Sequence, residues 1–327
     1  MKIIHKPLQF RRVPGPVFLA AGFFDGVHKG HRMVLSSTVE RARETGGQAW
    51  VLTFDRHPLS VIAPSRCPPL LCSLDDRLRL FEGLGVDGVV LLEFTRRLAI
   101  QEPETFVKWL CGKPRVSGEA GLDGGDSAQL SEVRCGANWR FGRRAQGSPE
   151  LLAEYGKSYG FRVVVVPYAE YKGVEISSTR IRYAVREGSL GEAADMLGRP
   201  YSIREKVVSG RGLGKKLCVA TANVWPCAEV LPPHGVYAVR VIHGGAEYNG
   251  VANLGVRPTF RSDGAEQTVL ETHLLEFDGD LYGQDVEVGF IARLRDERAF
   301  ECPSALARQI RQDIKDAQPH FKKTAKK

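Results

Sequence analysis

Val17-Phe18-Leu19-Ala20-Ala21-Gly22-Phe23-Phe24-Asp25-Gly26-Val27-His28-Lys29-Gly30-His31 decides how the first half of the chain is read. Its first five residues form a short apolar run, the signature of a fully buried strand. Beyond it, Met33, Val34 and Val39 recur on helical spacing. The glycine-rich centre therefore sits where a strand hands over to a helix. Gly22, Gly26 and Gly30 let the backbone turn tightly and approach a ligand. The helix N-terminus offers unsatisfied N–H groups and a partial positive charge, which suit a phosphate. His28 and His31 can aim at one point there and hydrogen-bond a phosphoryl group as charge builds on it. A His-x-x-His pair is also a metal-ligand spacing, but no carboxylate or cysteine stands at a fixed spacing nearby. On these residues alone, the stretch reads as a phosphate-binding turn.

Outward from that turn, apolar runs alternate with helical patterns. Gln48–Phe54 reads as a strand ending in Asp55-Arg56-His57-Pro58. Ligands of open α/β sheets sit at the carboxyl ends of strands, so Phe54, His57 and Pro58 fall over the same edge as the glycine-rich turn. A Pro-rich loop (Pro64 to Pro69), a helix (Leu74 to about Leu84), a strand (Val86–Leu92) and a helix (Glu102–Leu110) follow. Pro103 is tolerated in the first turn of that last helix. Ser117 to Ser131 is rich in Gly, Asp and Ser and reads as a flexible surface insertion. Order resumes at Val133-Arg134-Cys135-Gly136-Ala137-Asn138-Trp139-Arg140-Phe141-Gly142, then a helix (Pro149–Tyr159) and a strand (Phe161–Val166). The alternation predicts a parallel sheet with helices on both faces. Ser177, Ser178 and Thr179 precede a helical run and read as N-cap residues. Arg180 and Arg182 stand in its first turn, where the helix dipole disfavours cations unless an anion is bound there too.

The pattern changes after a short helix, Ser189–Leu197, and a hinge, Gly198-Arg199-Pro200-Tyr201. Lys206–Ser209, Gly235–Ile242, Tyr248–Leu254, Thr268–Leu275 and Val286–Ala292 are short apolar runs separated by Gly, Asn and Asp turns. They predict an antiparallel β-barrel. A closing helix, Ser304–Ala317, carries Leu306, Ile310 and Ile314 on one stripe for packing against that barrel.

At 327 residues the chain has room for two domains. It has no apolar span of membrane length and no signal-peptide pattern. The seven cysteines (Cys67, Cys72, Cys111, Cys135, Cys218, Cys227 and Cys302) are scattered and odd in number, which points to reduced thiols in a cytoplasm. The net charge of +8 suits nucleic acid, a membrane surface or small polyphosphates. Basic residues are mixed with acids, as in Arg293-Leu294-Arg295-Asp296-Glu297-Arg298, and form no stripe for nucleic acid. The terminal lysines, Lys322 to Lys327, read as a frayed end. Small-molecule substrates are therefore expected, with no nucleic acid and no membrane, for a monomer or weak homo-oligomer.

The run Gly22-Phe23-Phe24-Asp25-Gly26-Val27-His28-Lys29-Gly30-His31 resembles the His-x-Gly-His signature of nucleotidyltransferases. In this longer form it is similar to that of the bacterial bifunctional riboflavin kinase/FAD synthetases. Ile176-Ser177-Ser178-Thr179 with Arg182, and Gly136 to Gly142, resemble further elements of that family. So do Gly235-Val236-Tyr237-Ala238-Val239, Gly250 to Phe260, Asp280-Leu281-Tyr282-Gly283 and Arg293 to Glu297, which extends the likeness over both halves. The resemblance implies an FMN adenylyltransferase domain over 1–186, a connector over 187–200 and a riboflavin kinase barrel over 201–327. In the first, Gly22, Phe24, Asp25, Gly30, Ser177, Ser178, Thr179 and Arg182 would hold the ATP phosphates, and His28 and His31 would act on the α-phosphoryl group. Phe54, His57, Pro58 and Asn138 would hold the flavin. In the second, Gly210, Gly214, Thr221 and Asn223 would hold ATP and Mg²⁺, and Glu271 would be the general base. ATP, riboflavin and FMN are the implied substrates.

Arg56 stands where that family has a proline, and Cys218-Val219-Ala220 replaces its usual Gly-Phe-Pro. Two alternatives therefore stay open: a monofunctional FAD synthetase with a degenerate kinase half, and a non-catalytic flavin- or nucleic-acid-binding protein.

Overall fold

Successive residues of a buried strand go to opposite faces of its sheet, so an all-apolar strand needs cover on both sides. In the computed structural model, which describes residues 1–112, 130–208, 221–258 and 266–322, the first half meets that need. Its elements are β1 (Lys2–Ile4), α1 (Pro7–Phe10), β2 (Val17–Ala21), α2 (Lys29–Glu44), β3 (Gln48–Phe54), α3 (Pro58–Ile62), α4 (Leu74–Gly83) and β4 (Gly88–Leu92). Then come α5 (Arg96–Ala99), α6 (Pro103–Cys111), β5 (Leu130–Gly136), α7 (Pro149–Tyr159), β6 (Arg162–Val166) and a small hairpin, β7 (Glu170–Tyr171) and β8 (Val174–Glu175). Six strands pair in the order β1-β4-β3-β2-β5-β6, all parallel. Val17, Leu19, Trp50, Leu52, Val90 and Leu92 join Phe10, Phe106, Leu110 and Leu152 on one face. Their neighbours Phe18, Ala20, Ala49, Val51, Val89 and Leu91 join Val34, Leu35, Val39 and Phe81 on the other. The expected parallel sheet with helices on both faces is thus present.

The chain forms two compact units, Met1–Ser178 and Thr179–Lys327. The second contains most of α8 (Ser178–Arg186), then α9 (Leu190–Leu197), β9 (Tyr201–Lys206), β10 (Thr221–Val224), β11 (Gly235–His243), β12 (Ala246–Pro258), β13 (Glu266–Leu274), β14 (Asp285–Arg295) and α10 (Pro303–Lys322). The strands pair antiparallel in the order β10-β13-β12-β11-β14-β9. One further bridge, with Val208 N–H donating to the Asn223 carbonyl at 2.8 Å, joins the two edges and closes the sheet. Inside lie Tyr237 and Phe290, edge to face at 5.2 Å. Outside, Val236, Ala238 and Val251 pack on Ala317 and Phe321 of α10. Buried Asp313 anchors that helix to β14, accepting from Arg295 Nε at 2.8 Å and from Nη2 at 2.7 Å. Such a bidentate pair fixes orientation as well as contact.

Several boundaries differ from the sequence reading. Leu130 and Ser131 belong to β5 and not to the insertion, whose other residues lie outside the described ones. The strand expected at Lys206–Ser209 is instead Tyr201–Lys206, so Tyr201 is not hinge. Buried Tyr201 and Ile203 alternate there with more exposed residues, and that alternation outweighs the Val207-Val208 pair. In α10 the stripe that joins the core is Ile314, Ala317 and Phe321, reaching beyond the expected end at Ala317.

Candidate active sites

Chain order and strand order part company between β2 and β5: β3 and β4 extend the sheet on one side, β5 and β6 on the other. Such a switch point leaves a crevice beyond the strands' carboxyl ends. The glycine-rich run leaves β2 at that edge. Phe24 (φ 60°), Gly26 (φ 77°) and Val27 (φ 41°) take left-handed backbone, which costs a β-branched valine most. The Phe24 ring lies over Gly22 in the space a Cβ would occupy. The run then delivers His28, 5% exposed, as the N-cap of α2.

His28 Nδ1 accepts from the His31 N–H at 3.3 Å, so the His28 ring proton sits on Nε2. The two imidazoles stack at 3.6 Å and 19°, and the Phe24 ring stands edge-on to His31 at 5.4 Å. Gly30 lies against the His28 ring. His31 Nδ1 is buried with no hydrogen-bond partner. Burial, then the neighbouring His28, then Arg77 hold His31 well below the usual imidazole range. The unfolded chain returns it to about 6.5. The unfolded state therefore binds the extra proton as pH falls below 6.5, and the stability that neutral His31 secures above that value drains away. Replacing it by glutamine is expected to flatten the decline of the thermal midpoint below pH 6.5. An unchanged slope would refute that coupling.

Asp25 turns its buried carboxylate to the Leu71 N–H at 2.9 Å, and its carbonyl accepts from Ser178 Oγ at 3.1 Å. The serine that opens α8 thus touches the glycine-rich run directly. Ser177 beside it is half-buried. Thr179, exposed, and Arg182, buried, fall in the second unit. At the end of β3, the Phe54 ring meets Phe94 edge-to-face at 5.0 Å. His57 caps α3, its Nδ1 accepting from Leu59 N–H at 3.1 Å, and Pro58 is the first residue of that helix. The His57 ring stands edge-on to Phe23 at 4.9 Å. Arg56 pairs with Asp55 at 2.8 Å. At the end of β5, Asn138 is exposed in the turn, and Trp139 stacks on Phe141 at 4.8 Å. The residues singled out after β2, β3 and β5 therefore share one sheet edge.

In the second unit, register assembles a different set. Asn223 on β10 is the cross-strand partner of Glu271 on β13, and Asn253 on β12 is its partner on the other side. Residues directly opposite one another share a face, about 5 Å apart. Asn253 is also the partner of Val236, which packs against α10, so the row lies outside the barrel. Asn253 Nδ2 donates to Glu297 Oε1 at 3.1 Å. Sequence reasoning gave Asn253 no role, because its place beside Glu271 is a matter of register alone. Thr221 heads β10 as the partner of His273. Its side chain, Gly210, Gly214 and Cys218-Val219-Ala220 lie outside the described residues.

Among the described residues, no group of three or more His, Cys, Asp or Glu gathers to hold a metal. Also among them, no helix is long and apolar enough to cross a membrane.

The FAD synthetase family model matches residues 11–120 and 124–180, and the riboflavin kinase family model matches 197–321. The first match is interrupted only inside the Gly/Asp-rich run. The bifunctional riboflavin kinase/FMN adenylyltransferase of Escherichia coli (strain K12) is 35% identical over 93% of this chain and 92% of its own length. That of Pseudomonas fluorescens is 36% identical over 90% and 89%, and that of Haemophilus influenzae 33% over 98% and 99%. A solved structure described as a macrolide-efflux protein from Streptococcus pneumoniae superposes with a TM-score of 0.79 at 27% identity, covering 97% of this chain and 98% of that one. A parallel-sheet unit, an antiparallel barrel, both family models and relatives aligned nearly end to end agree. The chain belongs to the bifunctional riboflavin kinase/FMN adenylyltransferase family.

Proposed function

We propose that the chain makes FAD from riboflavin in two steps, at two sites, and that the residues gathered above divide the work. The barrel step joins the ribityl 5′-oxygen of riboflavin to the γ-phosphorus of ATP. The bond from that phosphorus to the β-bridging oxygen breaks, ADP leaves, and Glu271 takes the hydroxyl proton. Asn223 and Asn253 flank that carboxylate, and Gly210, Gly214 and Thr221 approach the phosphates. In the second step a phosphate oxygen of FMN attacks the α-phosphorus of another ATP, and pyrophosphate departs. His28 presents Nε2–H to the α-phosphoryl oxygens and His31 presents its neutral ring beside it. Ser177, Ser178, Thr179 and Arg182 hold the leaving pyrophosphate. The glycine-rich run, with Gly22, Phe24, Asp25 and Gly30, sets the backbone around the triphosphate. Phe54, His57, Pro58 and Asn138, with Trp139, hold the flavin. No protein nucleophile is needed, since such transfers depend on positioning and charge neutralisation.

Mg²⁺ fits the donor chemistry of the barrel site. It takes few protein oxygens and keeps phosphate and water oxygens as its other ligands. Asn223 would supply a hard oxygen there, with the Glu271 carboxylate in register beside it, and the family resemblance adds Thr221. When bound, the ion neutralises phosphate charge. We assign the adenylyltransferase to 1–186 and the kinase to 201–327, with 187–200 between them. The same reading makes the protein a cytoplasmic monomer or weak homo-oligomer acting on small molecules without nucleic acid. The described cysteines, all thiols, support a reducing compartment.

The observation that carries this reading is the pairing, in one chain, of a stacked histidine N-cap at a parallel-sheet switch point with an in-register Asn223–Glu271–Asn253 row. Incubation with riboflavin, ATP and Mg²⁺, with the flavins separated over time, is expected to show FMN rising first and FAD accumulating after it. The Cys218-Val219-Ala220 substitution favours one second reading, a monofunctional FAD synthetase. FAD from FMN but none from riboflavin would establish that reading, and no turnover from either flavin would refute both.

A further inference from the structure

Arg77 lies on the buried stripe of α4, between Leu74, Leu78 and Phe81, and is 2% exposed. A guanidinium there is costly to bury, and an apolar side chain would fill the stripe without that cost. Its donors converge on the site's edge. Nη1 donates to the Phe23 carbonyl at 2.8 Å and to Thr53 Oγ1 at 3.4 Å, and Nη2 donates to the Phe54 carbonyl at 3.0 Å. The Thr53 hydroxyl also donates to the Phe23 carbonyl, at 3.1 Å. The guanidinium carbon sits 4.3 Å from the Phe23 ring centroid, and the His57 ring stands on that same ring. One buried cation therefore holds the exits of β2 and β3 together, with the Phe23 ring over it and the His57 ring edge-on to Phe23.

We propose that Arg77 is a positioning residue for adenylyl transfer, fixing the flavin wall of Phe54 and His57 against the loop that carries His28 and His31. The proposal rests on the assignment of those residues to the FMN adenylyltransferase site. The fork suits this position: a planar guanidinium reaches the Phe23 and Phe54 carbonyls from two separate nitrogens in fixed geometry, whereas a lysine would have to bring a single ammonium within reach of both. Its charge also helps to hold His31 neutral, after burial and His28.

The test uses the full chain with Arg77→Met and Arg77→Lys, and with His28→Ala as a reference. FAD formation is measured with FMN and ATP varied separately and across pH. Loss of a charged hydrogen-bonded fork is expected to raise the KM for FMN about tenfold or more in Arg77→Met, with the KM for ATP unchanged. Its acid limb is expected to move to higher pH, because His31 gains a proton more readily without the neighbouring cation. Arg77→Lys keeps the limb in place but not the FMN affinity. If Arg77→Met does not fold, a raised KM for FMN alone in Arg77→Lys supports the proposal. Unchanged KM values in Arg77→Lys overturn it, as does an equal rise of both KM values that tracks a lowered thermal midpoint. If His28→Ala leaves FAD formation intact, the site assignment itself falls. If His28→Ala is inactive while the Arg77 variants behave as wild type, only the role of Arg77 falls.

Discussion

His28→Ala lowers the rate of FAD formation from FMN by about 10²–10³-fold, the usual cost of removing one preorganised donor from a centre of developing charge. It leaves riboflavin phosphorylation unchanged, because that reaction uses the other unit. The imidazole has two jobs, which differ in size. As the N-cap of α2 it accepts from His31 N–H, and losing such a cap costs about 0.5–2 kcal/mol of stability. That loss shifts the folded fraction little in a stable unit and falls short of the expected loss in rate. The larger effect comes from Nε2–H, whose direction is fixed by the Nδ1 bond and by stacking on His31 at 3.6 Å. Initial rates from FMN and from riboflavin, measured on the same preparation, separate the two jobs. A parallel fall in both rates would contradict separate sites.

Glu271→Gln is expected to do the reverse. General-base catalysis by a positioned carboxylate contributes about 10²–10⁴-fold, so riboflavin phosphorylation falls by that factor while FAD formation from supplied FMN continues. Glutamine keeps the volume and an acceptor oxygen, so the row with Asn223 and Asn253 retains its packing. What disappears is the capacity to take the 5′-hydroxyl proton. Phosphorylation at the wild-type rate would strip Glu271 of that role.

Most of the parallel unit could be read from the chain because its strands are continuous apolar runs that need cover on two sides. Val17–Ala21 and Gln48–Phe54 stand where the sequence puts them. The glycines between strand and helix, and the histidines beyond them, locate one site without any knowledge of pairing. Lys2–Ile4 is not legible in the chain, since three residues with a charged start carry no period. The barrel was legible in kind but less so in detail. Tyr201–Lys206 alternates buried and exposed residues and is disguised by its charges, whereas the neighbouring Val207-Val208 is conspicuous and lies beyond the strand. Asn253 acquires meaning only when β12 is laid against β13, and a single strand does not state its own register. Arg77 does carry a signal in the sequence: an arginine on the i, i+3, i+4, i+7 stripe of α4, among leucines and a phenylalanine, has to satisfy its donors indoors.

The parallel sheet has two unlike rims. Leu130 begins β5 opposite Val17, the first residue of β2, so the chain that follows α6 rejoins the sheet on its amino rim. A strand of this length carries that point roughly 20 Å from the rim where His28 and Asn138 stand. A change at the start of β5 therefore falls on the far side of the sheet from its chemistry.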